Sequence, residues 1–348
     1  MTPVRAPFEI GGQSVPAGSR RTVDIPVSVL SDHTPVTLSA HVIHGRRAGP
    51  TIFVTAGIHG DEVIGAEIVR RLLTMKALGS LRGTLIAIPI VNAFGFLNQS
   101  RYLPDRRDLN RCFPGSAKGS LAARLADLLM REVVARSDLG IDLHSAAIHR
   151  TNLPQIRVTK GDKEALRLAH VFGAPVILQS TERDGSLRAA ASDLGVNVLL
   201  FEAGEALRFD ELAVRAGVAG VLRVLHTLGM VGSRGVPKPR GKSMLLKSSR
   251  WLRAPQGGLL RVFRDTGDVV SKGELLAAVS DPFGEVERDV VASIDGIIVG
   301  RAVMPIVNEG DAIFHIAQTA SVERAEDTLQ VLRTDLEGDP IFDEDEII

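Results

Sequence analysis

Residues Thr51-Ile52-Phe53-Val54-Thr55-Ala56 form a short apolar, β-branched run that reads as a buried strand. Gly57-Ile58-His59-Gly60-Asp61-Glu62 follows, and residues 63–78 then carry Ile64, Ile68, Leu72 and Leu73 at helical spacing. A buried strand, a glycine turn and an amphipathic helix in that order is a unit of α/β architecture, and it places His59 and Glu62 between strand end and helix start. Asp61 has the side chain to cap that helix. His59 and Glu62 can converge on one point, where an imidazole and a carboxylate suit zinc. On these six residues alone, a glycine turn with a capping acid and a hydrogen-bonded histidine is an equal reading.

The same grammar runs on. Residues 21–30 and 35–44 read as hairpin or edge strands, and 83–91 as an apolar strand in which Pro89 argues for an edge or a bulge. Residues 92–118 lack periodicity, and a loop of that length in a compact unit points to function. Helices are predicted over 121–134, 163–172, 186–194 and 211–228, and strands over 139–145, 155–159, 175–178 and 197–201. Alternating strands and helices imply an α/β fold with a mostly parallel mixed sheet flanked by helices. Ligands of such sheets bind outside the carboxyl ends of the strands. His59, His144 and Glu202 all sit at such ends and can share one crevice.

The 41 basic and 41 acidic side chains cancel, which gives no electrostatic case for nucleic acid or anionic membrane. A lone cysteine, Cys112, excludes an internal disulfide framework and fits a reducing compartment. The first residues lack the apolar core of a signal peptide and no run is long enough to span a bilayer, so a cytoplasmic enzyme is expected.

Residues 1–230 are read as the α/β catalytic unit and 231–249 as a linker rich in Gly and Pro, Pro239 included. Residues 250–317 turn to short strands and glycine turns in two echoing halves, which resembles the small barrel-sandwich fold of lipoyl and biotinyl carriers. The hairpin tip that would display the modified lysine is Asp281-Pro282-Phe283-Gly284, without one, so this all-β unit is read as structural. Residues 318–348 are acidic and read as a solvated tail.

Two imidazoles and one carboxylate, from His59, His144 and Glu62, are the ligand set of a catalytic zinc that keeps one position for water. Such a water has a pKa near 7. Glu202 is placed to move its proton, with Glu205 as the runner-up. Asp142, on the strand face of His144, could orient that imidazole or form a simple salt bridge. Loop guanidiniums could grip a carboxylate or polarise a carbonyl, and Arg101, Asn110 and Arg111 are the candidates. His149, Arg150, Asn152 and Arg157 either line the pocket or face solvent. Cys112 reads as a small loop residue, and His33, His41, His44, His170, His226 and His315 as structural.

In order, Gly57-Ile58-His59-Gly60-Asp61-Glu62, Arg101-Tyr102, Asp108-Leu109-Asn110-Arg111, Asp142-Leu143-His144 and Glu202-Ala203-Gly204 resemble the succinylglutamate desuccinylase/aspartoacylase family, a branch of the zinc carboxypeptidase superfamily. The resemblance spans roughly residues 50–317. It implies a zinc-carboxypeptidase-like fold, one zinc per chain on His59, Glu62 and His144, and Glu202 as general base. It further implies that Asn110 and Arg111 hold the substrate α-carboxylate and that Arg101 polarises the acyl carbonyl. One departure is the spacer Leu103-Pro104-Asp105-Arg106-Arg107, longer than in the aspartoacylases. Within the family the chain looks closer to the bacterial deacetylases of ectoine breakdown, which act on N-acetyl-diaminobutyrate. The expected activity is deacylation of a small N-acetyl or N-succinyl amino acid, with no nucleic-acid or membrane partner and a homo-oligomer left open. A metallocarboxypeptidase and a metal-free binding or scaffold protein are the competing readings.

Overall fold

The computed structural model describes residues 5–238 and 241–337. The chain begins with a hairpin, β1 (Phe8–Ile10) and β2 (Gln13–Val15), then a second hairpin, β3 (Ser19–Val29) and β4 (Pro35–His44). The α/β part follows as β5 (Arg47–Ala56), α1 (Ile64–Thr74), β6 (Arg82–Ile88), α2 (Ala93–Leu97), α3 (Leu121–Glu132) and β7 (Leu139–Ala146). It continues as β8 (Arg150–Val158), α4 (Lys163–Phe172), β9 (Val176–Gln179), α5 (Leu187–Asp193), β10 (Asn197–Glu205), α6 (Glu211–Thr227) and β11 (Met244–Leu246). The C-terminal part holds β12 (Ser249–Arg253), β13 (Gly258–Val262), β14 (Val269–Val270), β15 (Leu275–Ser280) and β16 (Glu287–Val291). It ends with β17 (Gly296–Ala302), β18 (Ile306–Val307), β19 (Ala312–Gln318) and α7 (Val322–Glu337).

The main sheet runs β12-β19-β17-β8-β10-β7-β5-β6-β4-β3, with parallel pairs at its centre (β10·β7, β7·β5, β5·β6) and antiparallel pairs toward both ends. Period-2 alternation sorts its residues between two cores. Ile141, Leu143, Leu199 and Phe201 join the core under α1, α4 and α6. Phe53 and Val198 join the core under α3 and α5. Gly140 is required on that second face, because a Cβ there would lie 2.0 Å from the Phe53 ring. The C-terminal strands form a sandwich: β16-β15-β13-β18 packs on β12, β17 and β19 around Leu260, Val279, Ile298 and Phe314. One of its sheets continues the main sheet, since Gly300 on β17 pairs antiparallel with Asn152 on β8. The fold is therefore a large mixed sheet flanked by helices, with a C-terminal antiparallel β unit.

Several local expectations are corrected. Asp61 does not cap α1, which starts after Val63 with no side-chain cap. The Asp61 side chain turns inward instead and its carbonyl accepts the Leu207 N–H at 2.8 Å. The helix expected to residue 78 stops at Thr74, where Met75 turns extended, and a short 3₁₀ turn (Lys76–Ser80) follows. Pro89 causes neither edge nor bulge: β6 is interior between β4 and β5 and ends at Ile88, so the missing N–H breaks no ladder. Inside the linker, β11 adds a parallel strand to β9, while Pro239 lies outside the described residues. The acidic tail is helical through Glu337, and α7 packs Ala325 and Leu329 against Val269, Val299 and Ala317. Its last stretch, 338–348, lies outside the described residues. No described helix is long and apolar enough to cross a membrane.

Candidate metal centre and the cavity around it

The turn after β5 is clamped from two sides. Val91 and Asn92 donate their N–H groups to Ala56 and Gly57 at 2.9 and 2.8 Å, and Leu207 bonds Asp61. Gly60 admits the backbone of Gly95 so closely that a Cβ would lie 2.0 Å from it. This clamp holds His59 and Glu62 at 4% and 3% exposure, and β7 brings His144 beside them at 3%.

Glu62 bridges the two imidazoles: His59 Nδ1 lies 2.7 Å from its Oε1 and His144 Nδ1 2.7 Å from its Oε2. The Ser145 N–H also donates to Oε2, at 3.2 Å. The far nitrogen of each ring meets a second carboxylate. His59 Nε2 is 3.1 Å from Asp108 Oδ1, and His144 Nε2 is 2.7 Å from Asp142 Oδ2. The Thr55 hydroxyl donates to the other oxygen of Asp142 at 2.8 Å. Burial works against charge on all three central groups, but mutual attraction wins. The imidazoles hold the Glu62 carboxyl far below the usual carboxylate range. Glu62 and Asp108 raise His59, while Asp142 and Glu62 raise His144 well above its ordinary value.

One donor atom from each of His59, Glu62 and His144 lies within 4.8 Å of the others. Two ring nitrogens and a carboxylate oxygen, with each ring fixed from behind by an acid, fit a zinc ion. Asp108 had no role in the sequence reading, although its place seven residues after Arg101 is the signal. It accepts from the Arg101 guanidinium at 3.0 Å while Arg101 also donates to Glu62 at 3.2 Å.

Register puts the remaining groups on the same sheet face. Glu202 pairs with His144, Leu200 with both Asp142 and Arg157, and Gly204 with Asn152. Glu202 Oε2 accepts from Asn152 at 2.8 Å and from Arg157 at 3.3 Å. Glu205, the runner-up, faces elsewhere, taking the His149 N–H and the Arg208 guanidinium. Asn110 Oδ1 accepts the Leu187 N–H at the start of α5, which seats the Asn110-Arg111 turn, and Asp108 caps that turn. Arg111 is exposed at the rim. His59, Glu62, His144, Arg101, Asn110, Arg111 and Glu202 all line one cavity of about 340 Å³. That volume suits a small molecule. Of the further loop candidates, Arg150, Asn152 and Arg157 line it and His149 does not. Cys112 packs under the loop, its thiol on the Asp108 carbonyl and raised by burial.

Three lining residues escaped sequence reasoning. Arg183 comes from the β9–α5 connection, Arg188 from the first turn of α5, and Trp251 from β12 of the C-terminal unit. Trp251 stacks flat on His315, centroids 4.6 Å apart and planes within 6°, and the Arg150 guanidinium lies over the Trp251 ring at 5.3 Å. A solitary tryptophan at the start of a β unit read as structural was the available signal.

The chain is 29% identical over 285 residues to the N-alpha-acetyl-L-2,4-diaminobutyric acid deacetylase of Halomonas elongata, across 78% of this chain and 83% of that protein. In fold it resembles the product-bound ectoine utilization protein EutE of Ruegeria pomeroyi, with a TM-score of 0.78 and 24% identity over 86% of this chain and 95% of that one. A succinylglutamate desuccinylase/aspartoacylase from Rhodobacter sphaeroides superposes with a TM-score of 0.77 at 24% identity, again over 86% and 95%. Residues 48–228 match the family model described as the succinylglutamate desuccinylase/aspartoacylase catalytic domain, and the chain belongs to that family.

Proposed function

We propose that this chain is a zinc-dependent amidohydrolase that removes a short acyl group from the amino group of a small amino acid. The observation that carries the reading is the buried convergence of His59, Glu62 and His144 in one cavity that also holds Glu202. The Halomonas relative, named for deacetylating N-α-acetyl-2,4-diaminobutyrate, supports the same reaction class.

His59, Glu62 and His144 would hold the metal, with Asp108 and Asp142 keeping each imidazole turned toward it. Zinc bound there would lower the pKa of a water to about 7 and polarise a carbonyl. Glu202 takes the water proton and delivers it to the departing amine. Both protein bonds to Glu202 land on Oε2, which leaves Oε1 as the oxygen that carries the proton. Arg101 draws charge from the acyl carbonyl oxygen, and Asn110 and Arg111 hold the α-carboxylate.

Residues 1–230 serve as the catalytic unit and 250–317 as an unmodified wall across the linker 231–249, acting in the cytoplasm. Trp251 narrows the space beyond the scissile carbonyl, where a peptide would need room for further residues. A deacylation screen over acetyl, succinyl and formyl amino acids, with blocked di- and tripeptides beside them, tests the reading. Release of acid from acyl amino acids but not from peptides is expected. Comparable kcat/KM on a tripeptide would identify a carboxypeptidase instead.

A further inference from the structure

Strand β8 changes face as it passes the cavity. Arg157 and Asn152 both line the cavity, although side chains an odd number of residues apart on an unbroken strand point to opposite faces. The exchange is made where β8 slips against β10. Glu202 pairs with Gln155 but Gly204 pairs with Asn152, so β8 spends one residue more than β10 over that interval. The extra residue turns Asn152 toward Glu202. Asn152 Nδ2 donates to Glu202 Oε2 at 2.8 Å, and Arg157 Nη2 donates to the same oxygen at 3.3 Å. Asn152 is buried, so its amide is held by the protein on both sides.

Away from Glu202, Asn152 meets the C-terminal unit. It pairs with Gly300 of β17, where a Cβ would lie 2.5 Å from Asn152 Oδ1. The next group such a Cβ would meet is the Thr151 carbonyl oxygen, at 3.2 Å. Gly300 is not in the left-handed region, so its backbone suits any residue. Glycine is needed there for room. A methyl at 300 is admitted only if the Asn152 amide swings aside, and that swing takes Nδ2 off Glu202. The lost bond is the shorter of the two that fix the carboxylate, and it is charge-assisted. Arg157 alone would then hold Oε2, and the carboxylate could rotate so that Oε1 leaves its line to the reacting groups. Gly300 itself does not line the cavity.

We propose that Asn152 is a positioning residue for Glu202 and that Gly300 seats it, so that the C-terminal β unit acts on proton transfer through the room it leaves. This rests on the reading of Glu202 as the proton carrier of an acyl amino acid hydrolase. Proton transfer is steep in geometry, and a displacement of about 1 Å costs on the order of 100-fold in rate. The loss falls on the chemical step, because substrate and metal are held by other residues.

Two measurements on the zinc-supplemented full chain test this, and the first needs no turnover. With asparagine side-chain amides isotope-labelled for NMR, the Asn152 signal is identified by its absence from Asn152→Asp. One of its protons should lie downfield, as for a donor to a carboxylate, and should move back in Glu202→Ala and in Gly300→Ala. The second is a double-substitution cycle on kcat and KM, with N-acetyl-L-2,4-diaminobutyrate and N-succinyl-L-glutamate as probes. Asn152→Ala and Gly300→Ala should each lower kcat about tenfold or more, with KM within about twofold and zinc retained. The double variant should be no slower than Asn152→Ala alone, because the methyl at 300 then displaces nothing. Losses that multiply, or a raised KM with kcat intact in Asn152→Ala, overturn the proposal. Should Gly300→Ala not fold, Asn152→Asp decides: it keeps the shape and lacks the donor, and a wild-type kcat in it overturns the proposal as well. An amide signal indifferent to Glu202 sinks the positioning role and leaves the hydrolase. A signal that depends on Glu202 and Gly300, in a chain that hydrolyses neither probe nor any compound of the deacylation screen, keeps the seating and sinks the hydrolase.

Discussion

Acidification should leave His315 neutral long after an ordinary histidine has taken its proton. Its ring is 6% exposed, pressed against Trp251, with Nε2 on the Ser249 hydroxyl at 2.8 Å and Nδ1 buried without a protein partner. Burial, helped by the nearby Arg157 charge, pushes its pKa from 6.5 to about 4. A histidine depressed in the fold makes the unfolded chain the better proton acceptor between those values. Stability is therefore complete above the unfolded pKa and is lost as pH falls toward the folded one. At about 1.4 kcal/mol per pH unit, the interval from 6.5 to about 4 amounts to roughly 3 kcal/mol. His315→Phe retains an aromatic partner for Trp251 and cannot be protonated, so its stability relative to wild type should rise by about that amount across the interval. Denaturant unfolding of both proteins at several pH values reads the difference, which cancels the titration of groups they share. Trp251 supplies a direct check, because a protonated imidazole stacked on indole quenches it. Emission of the folded wild type should stay level down to about pH 5. A quenching midpoint between about pH 6 and 7, or the same pH slope in both proteins, would refute the reasoning.

Protein purified without added metal should carry about one zinc per chain by elemental analysis, and the double substitution His59→Ala with His144→Ala should remove it. Glu202→Gln should keep that zinc while turnover falls about 100-fold or more, whereas Glu205→Gln, tied to Arg208 outside the cavity, should cost far less. Gly140→Ala drives a methyl into the Phe53 ring and should lower unfolding stability by about 1–3 kcal/mol, read as a shifted denaturation midpoint.

The sequence foretold most where physics is local. The strand, turn and helix around His59 announce themselves by period and glycine content, and His144 and Glu202 sit on strands whose apolar runs are plain. Asp61 misled because capping depends on where the first helical N–H groups point, and Val63 intervenes. Arg188 and Trp251 reach the cavity through long-range pairing, α5 folding over one sheet face and β12 arriving by way of β19 and β17. No periodicity within β12 signals that. Helix α7 was masked by its charge: Ala325 and Leu329, one turn apart, make an apolar stripe too narrow to stand out in an acidic stretch.

The pairing of β17 with β8 also bears on what could survive as a fragment. Cut after the linker, the α/β part would leave the Arg150–Asn152 stretch of β8 unpaired on one side, where β17 now bonds it, while β9 still covers Gln155–Val158. An open strand of that kind recruits other chains, so such a fragment is a candidate for aggregation rather than a smaller enzyme. The side chains on that strand include Asn152 and Arg157, which hold Glu202. Loss of the neighbour would loosen Glu202 as well as remove Trp251 from the cavity lining.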